Sequence, residues 1–162
     1  MARTAASLGA LTRAAADDGV IFAGSVGGGF VFPDFLPAYD GVASLCKLLE
    51  LLAPVRKPLS ELVADLPQSK VVHRQVRCPW GRKGAVMRIL MERTKGKKVE
   101  TLDGIKVYER RGWVQVLPDP DEPLVHVYAE GGTEEDTARL EEEFLALVEQ
   151  AVAGSDDDED SA

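Results

Sequence analysis

Three strand-like runs follow one another between Val99 and Leu117 with no room for a helix between them: Val99 to Leu102, Ile105 to Glu109 and Trp113 to Leu117. The pairs that separate them, Asp103-Gly104 and Arg111-Gly112, are tight-turn signals, and so short a connection joins only antiparallel neighbours. The segment therefore reads as an antiparallel meander. A further strand is expected over Leu124 to Ala129, and another over Val71 to Cys78 ahead of the meander. Two helices complete this half. One runs from Arg82 to Thr94, turns Val86, Ile89 and Leu90 inward and stops at Gly96. The other is capped by Thr133 and carries Thr137, Leu140, Phe144, Leu147, Val148 and Ala151 on its inner face. Glu134, Glu135 and Asp136 occupy its first turn, where carboxylates favour the helix dipole. Residues 67–153 thus read as an α+β domain, an antiparallel sheet with helices on one face.

The chain before it is built differently. Residues 3 to 17 are rich in Ala and Leu, set Leu8, Leu11 and Ala15 at helical spacing, and stop at Asp17-Asp18-Gly19. Short strands at Val20 to Ala23 and Phe30 to Phe32 flank the loop Gly24-Ser25-Val26-Gly27-Gly28-Gly29. Asp40 can cap a helix carrying Val42, Leu45, Leu48, Leu49 and Leu52, which Pro54 ends. A short helix follows, with Pro58 in its first turn and Leu59, Leu62, Val63 and Leu66 on one face. Two short strands and three helices with so broad a leucine face make a poor core alone. Residues 1–66 therefore read as a partial α/β domain, with a boundary near Leu66 to Lys70. At the other end, Asp156-Asp157-Asp158-Glu159-Asp160 has no apolar anchor, so residues 154–162 are expected to be a disordered acidic tail.

The net charge of −8 hides a strong asymmetry. From Lys70 to Arg111 there are 13 Lys and Arg against 4 Asp and Glu; from Asp119 onward there are 16 acidic residues and one basic residue, Arg139. The two segments should attract each other. No run of ~18 apolar residues encodes a membrane span, and the Ala-rich start carries Arg3 and Arg13 without a continuous apolar stretch, so an untargeted, cytoplasmic chain is expected. Cys46 and Cys78 lie far apart with no C-x-x-C pair, which signals neither a disulfide framework nor zinc; both read as buried thiols.

Several stretches, in order, resemble the C-terminal end of the alpha-D-phosphohexomutases, the phosphomannomutase and phosphoglucomutase family. They are Gly27-Gly28-Gly29-Phe30-Val31-Phe32, Tyr39-Asp40-Gly41-Val42-Ala43-Ser44-Leu45, Leu48-Leu49-Glu50-Leu51-Leu52-Ala53 and Lys57-Pro58-Leu59-Ser60-Glu61-Leu62. Further along come Leu102-Asp103-Gly104-Ile105-Lys106-Val107, Gly112-Trp113-Val114 and Asp121-Glu122-Pro123-Leu124-Val125-His126-Val127-Tyr128-Ala129-Glu130. Such mutases have four domains, and the resemblance implies the end of the third followed by the fourth, which is similar to the TATA-box-binding-protein-like fold. The wording of Phe32-Pro33-Asp34-Phe35-Leu36-Pro37 and Ser44-Leu45-Cys46-Lys47-Leu48-Leu49 also looks like the mutase-like tail of bacterial mannose-1-phosphate guanylyltransferase fusions.

The resemblance implies two recognition loops, and both are rewritten here. The family's phosphate loop usually reads Arg-Pro-Ser-Gly-Thr-Glu-Pro; this chain has Leu117-Pro118-Asp119-Pro120-Asp121-Glu122-Pro123. A guanidinium has become Leu117, hydroxyls have become Asp119 and Asp121, and Pro120 lacks a backbone donor. Losing one charge-assisted contact costs ~1.5–3 kcal/mol. A carboxylate ~5 Å from a phosphate adds about 3 kcal/mol per charge pair at an effective dielectric of ~20. Together these remove several powers of ten in affinity, so sugar-phosphate binding should be negligible. The sugar loop usually reads Gly-Glu-x-Ser-Gly; over Gly24, Ser25, Gly27, Gly28 and Gly29 it has Ser25 where Glu is expected and Gly27 where Ser is expected. The phosphoserine and magnesium loops that active mutases use are not among these residues, so no catalytic residue and no cofactor are assigned, magnesium belonging to the intact family.

The remaining features have plainer readings. Asp119, Asp121 and Glu122 offer oxygen ligands, but an acidic surface turn needs no ion, so no metal is assigned. His73 and His126 read as partly buried structural histidines, and Trp80 and Trp113 as packing residues. The basic segment, densest over Arg93 to Lys98, suggests nucleic acid, against which the overall acidity argues. Three functions follow: a non-catalytic mutase-like module beside a nucleotidyltransferase in GDP-mannose synthesis, the substrate-binding part of an active phosphomannomutase, or an interaction module for an anionic partner. The expected partners are the missing mutase or nucleotidyltransferase domains, with self-association through residues 1–60 as the other way to cover the leucine face.

Overall fold

The computed structural model describes residues 1–5, 7–25, 28–66 and 70–154. Two units make up the chain, Met1–Pro67 and Gln68–Ala162. The expected boundary runs over residues 67–69, outside the described residues, as do residues 155–162 of the acidic tail.

In the first unit α1 spans Leu8–Ala15, shorter than expected, because Ser7 caps it by accepting a hydrogen bond from the Ala10 N–H at 3.3 Å. β1 (Ala23–Gly24) and β2 (Phe30–Val31) pair antiparallel with Ala23 opposite Val31; Val20 to Phe22 lie outside the ladder. α2 (Gly41–Leu52) is capped as expected by Asp40, whose Oδ1 accepts from the Ala43 N–H at 2.8 Å. α3 covers Leu59–Ala64, with Pro58 at the cap position rather than inside the first turn. The packed centre is small: Leu11, Ala15 and Val31, with Ala23 and Tyr39 against them. Leu8, at helical spacing from Leu11 and Ala15, is exposed. α2 buries none of its residues, and Val42 and Leu49 are 75% and 57% exposed.

The second unit is the antiparallel sheet that the turn signals require. β3 is Val72–Arg77, β4 Lys98–Glu100, β5 Ile105–Glu109, β6 Gly112–Pro118 and β7 Leu124–Gly131, in the spatial order β3-β7-β6-β5-β4. A 3-10 turn at Trp80–Arg82 leads into α4 (Lys83–Arg93), and α5 spans Glu134–Ala153. Thr133 caps α5 by accepting from the Asp136 N–H at 3.0 Å. The register sets Ile105, Val107, Val114, Val116, Val125, Val127 and Ala129 on one face, where Val86 and Leu90 of α4 and Leu140, Phe144, Val148 and Ala151 of α5 cover them. Each of the Val, Ile, Leu and Phe side chains contributes ~1.5–3 kcal/mol by leaving water. The opposite face carries His73, Gln75, His126, Tyr128, Gln115, Trp113, Lys106 and Tyr108.

Several sequence readings need correction. The second hairpin turns on Arg110-Arg111, because Gly112 already pairs with Glu109 inside β6. A Cβ on Gly112 would collide with the Glu130 carbonyl oxygen and come within 2.8 Å of Leu140 Cδ1, so this glycine serves close packing and not the turn. Cys78 is buried, and burial pushes its thiol pKa up, but Cys46 is exposed. Trp80 is 54% exposed, with the Lys83 ammonium 3.7 Å above its ring, so it is no core residue. The charge segments do pair: Arg74 meets Glu141 at 2.6 Å, Lys70 meets Glu134 at 2.9 Å, and Lys97 and Arg111 reach Glu143 and Asp136.

Candidate functional site

The bend from Asp119 to Pro123 joins β6 to β7, and its hydrogen bonds centre on one carboxylate. Asp119 Oδ1 accepts from the N–H groups of both Asp121 and Glu122, each at 2.7 Å. Asp119 Oδ2 lies 2.8 Å from His126 Nε2, and the Asp119 N–H donates to the Leu124 carbonyl at 3.0 Å. The His126 bond first, then the backbone donors, hold the Asp119 pKa down to about 2. From α4, Lys83 Nζ donates to the carbonyl oxygens of Asp119 and Glu122. The Pro123 carbonyl accepts from the Cys78 N–H at 2.8 Å, which ties the bend to the end of β3.

Behind Asp119 the contacts continue across the open face of the sheet. His126 Nδ1 lies 2.9 Å from His73 Nε2. The His73 ring stacks on Tyr128, centroids 4.3 Å apart and planes 6° from parallel. Burial, then the charges of His126 and Arg74, lower the His73 pKa; burial and the charges of Asp119 and Asp103 raise that of Tyr128. Sequence reasoning missed this row. His126 is half-buried as expected, but His73 is exposed, and the pairing follows from the β3–β7 register, in which Gln75 faces His126 and Tyr128 faces His73.

The expected loop residues fall as follows. Leu117 faces His126 across the ladder and Pro118 faces Val125, both half-buried; Pro120, Asp121, Glu122 and Pro123 are exposed. The Asp119 carboxylate turns back onto the amides of its own bend, and among the described residues no group of three or more His, Cys, Asp or Glu is placed to hold a metal. In the first unit, Gly24 pairs with Phe30, the Ser25 N–H donates to the Gly29 carbonyl at 3.2 Å, and the Gly28 N–H donates to the Ser25 carbonyl at 3.1 Å. Gly28 and Gly29 have φ of 95° and 83°, which suits glycine; Gly27 lies outside the described residues. Trp113 is half-buried, donates Nε1–H to Glu130 at 2.9 Å and carries the Lys106 ammonium 3.7 Å above its ring.

Residues 10–69 match the family model described as phosphoglucomutase/phosphomannomutase, alpha/beta/alpha domain III. A probable phosphoglucosamine mutase from Methanopyrus kandleri is 35% identical over 84% of this chain, and a phosphoglucomutase/phosphomannomutase from Thermococcus kodakarensis is 30% identical over 89%. The chain belongs to the alpha-D-phosphohexomutase family. This phosphohexomutase chain spans about a third of the length of those relatives, 30% and 32%. Its fold is similar to that of the crystal structure of a phosphoglucomutase/phosphomannomutase family protein from Burkholderia thailandensis, with a TM-score of 0.73 and 23% identity over 90% of this chain and 31% of that one. In this phosphohexomutase chain, then, a self-bonded carboxylate sits in the bend between β6 and β7.

Proposed function

We propose that this chain is a phosphohexomutase-family region that no longer binds sugar phosphate and works as a non-catalytic module. The observation that carries the reading is the pair of 2.7 Å bonds from the Asp121 and Glu122 N–H groups to Asp119 Oδ1. Backbone N–H groups in a bend are what hold a phosphate oxygen. Here both are taken by an internal carboxylate, which also repels an incoming anion. The Lys83 ammonium, a cation next to the bend, is spent on two carbonyl oxygens. The narrower part of the proposal, service beside a mannose-1-phosphate guanylyltransferase in GDP-mannose synthesis, is supported by the wording of residues 32–37 and 44–49. Residues 1–60, with the exposed apolar face of α2, are proposed to pack on further mutase or nucleotidyltransferase domains or to self-associate.

A second reading has its own support. The relatives above are named as mutases, which favours a substrate-binding part of an active phosphohexomutase. Calorimetric titration with mannose 6-phosphate and mannose 1-phosphate in the presence of a chelator separates the two. No heat of binding at millimolar ligand is expected; saturable binding in the micromolar range overturns the first reading in favour of the second.

A further inference from the structure

The only two histidines of the chain, 53 residues apart in sequence, meet on the open face of the sheet, with His73 Nε2 2.9 Å from His126 Nδ1. The bond between His126 Nε2 and Asp119 Oδ2, at 2.8 Å, needs its hydrogen on Nε2. In the neutral ring this leaves the lone pair on Nδ1, 2.9 Å from His73 Nε2. A carboxylate behind one imidazole nitrogen, with the other nitrogen basic, is how proteins orient a histidine that binds metal.

We propose that His73 Nε2 and His126 Nδ1 are the two protein ligands of a surface site for a borderline divalent transition metal ion, with zinc as the representative, with Asp119 as a positioning residue and water completing the shell. Imidazole nitrogens suit zinc, nickel and copper, whereas magnesium and calcium prefer oxygen. A tetrahedral ion with bonds of ~2.0–2.1 Å sets its two nitrogens ~3.3 Å apart, so the pair has to part by ~0.4 Å and each ring has to turn until both lone pairs meet at the ion. His73 is exposed and free to make that shift along its stack with Tyr128. With His126 in that tautomer, His73 Nε2–H donates to it in the absence of metal; on metal binding that hydrogen moves to His73 Nδ1, so no proton is lost.

The site stands apart from the loss of sugar-phosphate binding, and so does its test. Zinc chloride is titrated into the whole chain while the two imidazole signals are followed by NMR. Both are expected to shift and saturate at one ion per chain, with magnesium chloride at the same concentration leaving them unmoved. His73→Gln, at an exposed position, and His126→Ala should each abolish saturation, the amide spectrum reporting that the fold is kept. Asp119→Asn should weaken binding by roughly 10- to 100-fold at the same stoichiometry. Immobile imidazole signals at millimolar zinc overturn the proposal, as does binding that survives loss of both histidines, which would assign the ion to carboxylates. An unchanged affinity in Asp119→Asn overturns the role given to Asp119.

Discussion

Asp119 and His126 lock the bend between β6 and β7, their Oδ2 and Nε2 atoms 2.8 Å apart, while the other oxygen of Asp119 holds the Asp121 and Glu122 N–H groups. One side chain thus satisfies two backbone donors and braces against a third group. Removing it leaves two amides to water. Asp119→Ala is expected to speed hydrogen exchange of the Asp121 and Glu122 amides by roughly tenfold, the equivalent of one modest hydrogen bond. The amides of Val125 and Val127, inside the β6–β7 ladder, should exchange as before. Unchanged rates at Asp121 and Glu122 would mean that Lys83 and the backbone bonds of Asp119 and Pro123 hold the bend without the carboxylate.

Gly112 and Gly96 separate two reasons for a glycine. At Gly112 a methyl group meets the Glu130 carbonyl and Leu140, both fixed by the sheet and α5, so Gly112→Ala should cost about 2–3 kcal/mol in urea unfolding. At Gly96, φ is 85° with open space around it, so Gly96→Ala should cost about 1 kcal/mol from backbone strain alone. Equal costs at the two sites would remove the steric account of Gly112.

Features that depend on neighbours in sequence were legible before any coordinates. Asp40 and Thr133 cap their helices, Asp103-Gly104 turns with Gly104 at φ 67°, and the inner faces of α4 and α5 fall as the spacing of Val86, Leu90, Leu140, Phe144 and Val148 requires. What was missed needs distant partners. Gly112 looks like a turn residue until the Glu130 carbonyl and Leu140 are known to lie against it. Cys46 and Trp80 look like core residues by type, yet exposure is decided by what packs over them. The acidic character of the bend from Asp119 to Pro123 could be read from its residue types, but its self-bonded state could not. Whether an aspartate faces outward or back into its own bend depends on His126, which the register brings near.

The two units should answer differently to the loss of a large apolar side chain. Phe144 is fully buried against the sheet, and Phe144→Ala should destabilise the second unit by about 3–5 kcal/mol. Leu49 on α2 is mostly exposed, and Leu49→Ala should change unfolding by less than about 0.5 kcal/mol. If residues 1–60 self-associate, replacing Val42, Leu45 and Leu49 by serine should abolish concentration-dependent sedimentation. A monomer at every concentration, before and after the substitutions, would leave further domains as the cover for this face.

Acid should unlock the site in two stages, and the order follows from which state binds protons first. His73 has its folded pKa below the ordinary value near 6.5, so as pH falls the unfolded chain takes up that proton first. Its contribution is complete above about 6.5 and is lost as pH falls through the lower folded value. Asp119 titrates at about 2 in the folded chain against about 3.9 unfolded, so its contribution is complete above about 4 and disappears as pH drops toward 2. Urea midpoints measured from pH 7 to pH 2.5 should therefore decline in both windows. His73→Gln should flatten the first decline and Asp119→Asn the second. A carboxyl resonance for Asp119 that titrates near 4 would mean that its bonds to His126 and the two amides do not persist in solution.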